Sequence, residues 1–169
     1  MRLTRPGWVA TVSVALLAAT MPTASAATAR VYDPSGDARP RIDITSAVFH
    51  NRDHSVAGAI KVEDLRRLPS RYSVSFSPLN SPDIAFIART TRKDDGTQAD
   101  RLIFVDDLAR RHVVPCDLHV SWDFTADDVS IGAPRSCLKG ITGTLFMGAQ
   151  TAIPGVSHDR TRFRNVDQG

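Results

Sequence analysis

Ile42-Asp43-Ile44-Thr45-Ser46-Ala47-Val48-Phe49-His50-Asn51, followed by Val56-Ala57-Gly58-Ala59-Ile60-Lys61-Val62, is the stretch whose reading decides the fold. The first segment is rich in β-branched and aromatic residues, which predicts a strand over residues 42–51. In the second, Val56, Gly58, Ile60 and Val62 alternate with Ala57, Ala59 and Lys61, the period of two of a half-buried strand. The polar Asn51-Arg52-Asp53-His54 between them makes a hairpin.

Working outward, Asp64-Leu65-Arg66-Arg67-Leu68-Pro69 predicts one helical turn within residues 63–70, stopped before the proline. Tyr72, Val74 and Phe76 alternate with serines in a strand that ends at Pro78, and Asn80-Ser81-Pro82 is a turn signal. Residues 84–91 and 102–105 read as paired strands around the turn Asp94-Asp95-Gly96. Leu118, Val120 and Trp122 form an inward face, with His119, Ser121 and Asp123 outward. Val129 and Ile131 mark a short strand, and residues 144–152 the last one. Short strands with almost no helical period predict an all-β fold, a single antiparallel β-sandwich of jelly-roll or immunoglobulin-like type. Nothing repeats and no low-complexity linker divides the chain.

The N-terminus carries different information. Arg2 and Arg5 precede an apolar stretch over residues 8–19, and the small residues Ala24-Ser25-Ala26 follow. This is the pattern of a secretory signal peptide over residues 1–26, with Ala27-Thr28-Ala29 a second cleavage site, leaving residues 27–169 as the sandwich domain. The expected location is secreted and extracellular, away from ATP and nicotinamide pools. Residues 27–169 contain no second apolar run long enough to span a bilayer. The chain has 21 basic and 18 acidic residues, and losing two signal-peptide arginines brings the remainder close to neutral. Lysines and arginines are interspersed with aspartates, so the pattern points away from nucleic acid. Arg66-Arg67 with Arg71, and Arg160, Arg162 and Arg164, are the densest basic groups and read as solvated surface charge. Export makes a structural disulfide between the two cysteines, Cys116 and Cys137, the expected pairing.

Asp33 and Asp37 flank Pro34 and Gly36 in a short loop, with Asp43 six residues beyond. Calcium is held by carboxylate and carbonyl oxygens that such a loop can turn inward, which makes Asp33 and Asp37 the metal candidates. The competing reading is turn chemistry, each carboxylate accepting from a nearby backbone N–H, with Asp43 pinning the start of the strand. Asp94-Asp95-Gly96 lacks the final carboxylate of an EF-hand loop and reads as a hairpin tip. Ser157-His158-Asp159 groups the residue types of a catalytic triad, but neighbours on a strand point to opposite faces and cannot form one. His50 and His54 bracket the hairpin turn without further metal ligands in view. Tyr32, Phe124 and Phe163 are the aromatics left over for stacking on a sugar ring.

Tyr32-Asp33-Pro34-Ser35-Gly36-Asp37, then Ile42-Asp43-Ile44-Thr45-Ser46, resembles the start of a group of small secreted actinobacterial proteins. There a D-P-x-G-D loop leads into a D-I-x-S strand. Pro115-Cys116, Val120-Ser121-Trp122 and Pro134-Arg135-Ser136-Cys137-Leu138 are similar to the cysteine pair that flanks a hairpin in the same group. The resemblance implies an exported sandwich with a disulfide and no established activity. A more distant similarity, to DOMON-like and carbohydrate-binding sandwich domains, concerns fold alone. The expected function is a non-catalytic binding module of the bacterial cell surface or medium, with a glycan, wall polymer or extracellular protein as ligand. A small secreted hydrolase with an acidic site is the alternative, and a purely structural envelope protein the third.

Overall fold

Alternation of apolar and polar residues sorts the strands into two layers. A computed structural model describes residues 27–169, so the predicted signal peptide lies outside the described residues. In chain order the strands are β1 Ala27–Tyr32, β2 Ile44–Asn51, β3 Ser55–Val62, β4 Ser70–Pro78, β5 Ala85–Arg92 and β6 Gln98–Val105. They continue with β7 Arg111–Val114, β8 His119–Asp123, β9 Asp128–Pro134, β10 Leu145–Ile153, β11 Ser157–Arg160 and β12 Arg164–Val166. One sheet runs β1-β2-β3-β9-β8; the other runs β11-β10-β4-β5-β6-β7, with β12 also on β10. Every pairing is antiparallel. The connections β3–β4, β7–β8 and β9–β10 pass from one sheet to the other, which closes a sandwich.

The inner faces supply the core. Phe49, Ile60 and Ile131 of the first sheet meet Tyr72, Phe76, Phe86, Leu102 and Met147 of the second, all fully buried. Trp122 packs edge-on against Tyr72 at 5.1 Å between ring centroids, so it belongs to the sandwich interior rather than to a sugar platform. Gly58 lies directly against the second sheet: a Cβ there would lie 2.6 Å from Cγ2 of Val74. The predicted β2–β3 hairpin forms with Val56, Gly58, Ile60 and Val62 inward, as the alternation requires.

A bulge at Thr45 alters the start of β2. Ile44 pairs with Val62 and Ser46 with Lys61, so Thr45 is the extra residue. The bulge shifts the inward phase, and Ile44 instead of Thr45 enters the core.

Four details depart from the expectations. Residues 63–69 form an irregular bend rather than a helical turn, and Ser70 already belongs to β4, because the N–H of Leu65 donates to the Asp127 carboxylate at 2.9 Å and leaves the helical ladder. Residues 144–152 are not the last strand, since β11 and β12 both add to β10. Strand β1 precedes the first expected strand, and β7 extends the second sheet beyond β6. All four of these added strands are short or polar, and the backbone pairing offered by a long neighbour determines them.

Cys116 and Cys137 are joined, with their Cα atoms 5.8 Å apart. The bond ties the β7–β8 connection to a 3-10 turn, Arg135–Cys137, that follows β9. Closing a loop of this length stabilises a fold by about 3 kcal/mol. Replacing both cysteines by alanine should therefore lower the melting temperature by about 10 °C in calorimetry. A change within a degree or two would mean that the bridge adds nothing to the sandwich.

Candidate functional site

The β1–β2 connection places the acidic loop against the edge of the second sheet. The N–H of Asp33 donates to the Thr45 carbonyl at 3.2 Å, and the N–H groups of Ile42 and Asp43 both donate to the Arg39 carbonyl, at 2.8 and 2.9 Å. These bonds fold residues 33–43 into a compact loop. Gly36, at φ +96°, adopts a conformation that side chains rarely tolerate, and its N–H reaches Oδ2 of Asp43 at 2.5 Å. The turn-chemistry reading thus applies to Asp43, whereas the carboxylates of Asp33 and Asp37 accept no hydrogen bond from protein groups among the described residues.

Asp159 enters from the other sheet. Its Oδ2 accepts the Ile44 N–H at 2.7 Å and its Oδ1 accepts its neighbour Arg160 N–H at 2.6 Å. Carboxylate oxygens of Asp37, Asp43 and Asp159 lie within 4.8 Å of one another, the only grouping of three or more potential metal ligands among the described residues. Asp33 stands close enough to feel all three charges. Of the two residues the sequence singles out, Asp37 is a member of this group and Asp33 its immediate neighbour. Asp43 enters the sequence reading as the carboxylate six residues beyond them and as a strand-pinning residue, and Asp159, 116 positions later in the chain, carries no sequence signal toward this loop.

The electrostatics are those of a place short of positive charge. Asp43 is fully buried, yet its Oδ1 meets no donor, and Oδ2 of Asp33 is likewise buried without a partner. An unsatisfied buried carboxylate oxygen is costly, by about 1–3 kcal/mol or more. Burial, then the charges of Asp159, Asp37 and Asp43, push the Asp33 carboxyl above its ordinary value, with Arg162 opposing. Burial also pushes Asp159 up; the N–H groups of Ile44 and Arg160 oppose this, and the charges of Asp37 and Asp43 reinforce it. Four carboxylates from a loop, a strand start and the opposite sheet offer the hard oxygen donors that calcium takes.

Other candidates separate in space. Asp159 points inward and His158 outward on β11, so Ser157-His158-Asp159 forms no triad, and Asp95 caps its own hairpin tip through Thr97 at 2.6 and 2.8 Å. His50 lies 3.0 Å from the Thr28 hydroxyl. Tyr32 ends β1 at one edge of the first sheet, and Phe124 follows β8 at the opposite edge. Phe163 stacks on Phe146 over the second sheet at 4.9 Å, so the spare aromatics make no common strip. The outer face of the first sheet holds an open trough of about 550 Å³ between His50 and His119, floored by Ala57 and Gly132. Asp123 and Asp128 face each other at the end of β8–β9, but the Asp123 carboxylate is occupied by the N–H groups of Thr125 and Ala126 at 2.9 and 3.0 Å.

No protein-family model and no curated protein matches the chain.

Raised carboxyl values mean that the fold retains protons which the unfolded chain releases. The stability tied to Asp33 and Asp159 is complete below the ordinary value of 3.8 and is lost as pH rises through their raised values. Metal-free protein should therefore melt at progressively lower temperature as pH climbs above about 4, with Asp128, raised by its own burial, adding to the trend. Thermal melts in chelator should show a shallower decline for Asp33→Asn. An unchanged pH profile in that variant would remove Asp33 from the cluster.

Proposed function

We propose that this chain is a secreted, non-catalytic binding module of the bacterial cell surface or medium, whose two sheets are clamped by a calcium ion. Its ligand is a glycan, a wall polymer or an extracellular protein. The ion is held by Asp33, Asp37, Asp43 and Asp159. The observation that carries this reading is the buried, partnerless Oδ1 of Asp43, set among carboxylates at a joint between sheets. Acids in that position suit a cation and not a substrate, because a general acid or base must reach the bond it works on. A glycosidase would instead carry its two carboxylates on either side of a sugar-sized cleft. The D-P-x-G-D loop that resembles the secreted actinobacterial proteins supplies two of the four ligands on this reading. The Cys116–Cys137 bond is compatible with an oxidising compartment.

Chelator-treated protein should bind calcium in titration calorimetry, and calcium at about a hundred times its dissociation constant should add about 2.7 kcal/mol of stability. Asp43→Asn should abolish the gain while the variant still melts cooperatively in chelator. Absence of a calcium-dependent shift in the wild type would overturn the clamp. The oxidised protein should be retained on purified cell walls or insoluble polysaccharides, and failure on every polymer would overturn the glycan and wall-polymer version of the reading.

A further inference from the structure

The near-neutral charge of the chain conceals a one-sided distribution. On the outer face of the second sheet the register aligns Gln150, Ser73, Arg89 and Arg101 in one row across β10, β4, β5 and β6, and Arg160 continues that row on β11. Arg71 lies two residues before Ser73 on β4, and Arg111 lies on β7 beside Val105. No outward position on β4, β5, β6, β7 or β10 holds an aspartate or glutamate. Ion pairs among the described residues lie elsewhere, at Asp64–Arg66 and around Asp106.

The crowding leaves donors unused. Nε of Arg71 and Nε of Arg89 are buried and meet no acceptor. Burial, then the guanidiniums of Arg71, Arg111 and Arg101, hold Arg89 below its ordinary value. Holding like charges together without counter-charges costs stability, and a bound anion relieves that cost. Neighbouring strands lie about 4.8 Å apart, so the arginines from β4 to β7 span about 14 Å, and the row out to β11 about 24 Å.

We infer that this face is a docking track for a linear polyol-phosphate polymer laid across the strands. The inference rests on the binding-module reading and names its ligand. A row of donors with no acceptor of comparable strength matches a ligand made of acceptors, which a neutral glycan is not. Guanidinium groups recognise phosphate with a planar fork, and the oxygens of a tetrahedral phosphate can bridge forks on adjacent strands. A carboxylate is saturated more readily by a single fork. Single-stranded nucleic acid would seek aromatic platforms between the charges. Here the exposed aromatic pair, Phe146 and Phe163, is stacked on itself beside β12, at the Arg160 end of the row and not between the arginines of β4 to β7.

The test uses the calcium-loaded, oxidised protein and poly(glycerol phosphate) as probe, with poly-L-glutamate and oligodeoxythymidylate of equal charge as comparisons. Poly(glycerol phosphate) should bind most tightly, and with four arginines engaged the log–log slope of affinity against salt should be about −3. Arg89→Gln with Arg101→Gln should weaken binding about tenfold or more and roughly halve that slope. Because Arg89 is half-buried, Arg101→Gln with Arg111→Gln serves as a second pair on exposed positions, and it should show the same loss at an unchanged melting temperature. Tighter binding of polyglutamate or of the oligonucleotide would overturn the polyol-phosphate ligand. Retention on whole walls that is indifferent to both variant pairs would overturn the track and leave the binding-module reading standing. Absence of retention on any wall or polymer would overturn the track together with the glycan and wall-polymer version of the binding-module reading.

Discussion

The structure depends on strand β2 being held at both ends by polar side chains that cross between the sheets. At its start, the Tyr72 hydroxyl donates to the Arg41 carbonyl, the Thr151 hydroxyl to the Ile42 carbonyl, and Asp159 accepts the Ile44 N–H. At its end, the buried Asn51 amide donates to the carbonyls of Gly143 and Val166 at 2.9 and 2.7 Å, while Arg135 donates to the Asn51 side-chain oxygen. The apolar faces between these ends would pack in several registers, since hydrophobic contact has no direction. Directional bonds at the two ends select one. Buried polar groups are costly when mismatched, so the same bonds that set the register also penalise any other.

That seam explains where the charges lie. Asp159 must be buried to hold Ile44, and the loop it meets brings Asp33, Asp37 and Asp43 with it. Four of the acidic residues of the chain are thereby gathered at one joint of the sandwich. Arginines at alternate positions of β4, β5 and β6 are turned to the opposite side of their sheet, because the intervening residues fill the core. A chain with nearly balanced charge becomes an acidic joint and a basic face. The proposed calcium clamp and the inferred polyanion track both build on this separation, and such a clamp would stiffen the edge on which part of the track lies.

Much of the layering was legible in advance because a period of two is a local property. The β2–β3 hairpin, the strands through Tyr72, Ile87 and Leu102, and the inward face of Leu118, Val120 and Trp122 all follow from side chains alternating along an extended backbone. The cysteine pairing was legible for a different reason, since only one partner exists for each thiol. Strands β1, β7, β11 and β12 were not legible. Their residues are mixed in character, and each forms because a longer neighbour presents unpaired backbone groups. The bend over residues 63–69 is not legible locally because the bond that breaks the helical turn comes from Asp127, 62 residues away.

The candidate site divides along the same line. The sequence by itself determined that the fold is an antiparallel all-β sandwich and that Asp33 and Asp37 share a loop with Asp43 in reach. It also determined which residues alternate inward on the long strands. Only the tertiary structure decided that Asp159 completes the acidic group, that Asp43 is buried with an oxygen unused, and that arginines from four strands share one surface. Periodicity tells which way each side chain points within its own strand. Which strands become neighbours is set by long-range pairing and by the polar seam, and electrostatic interaction depends on distance in space.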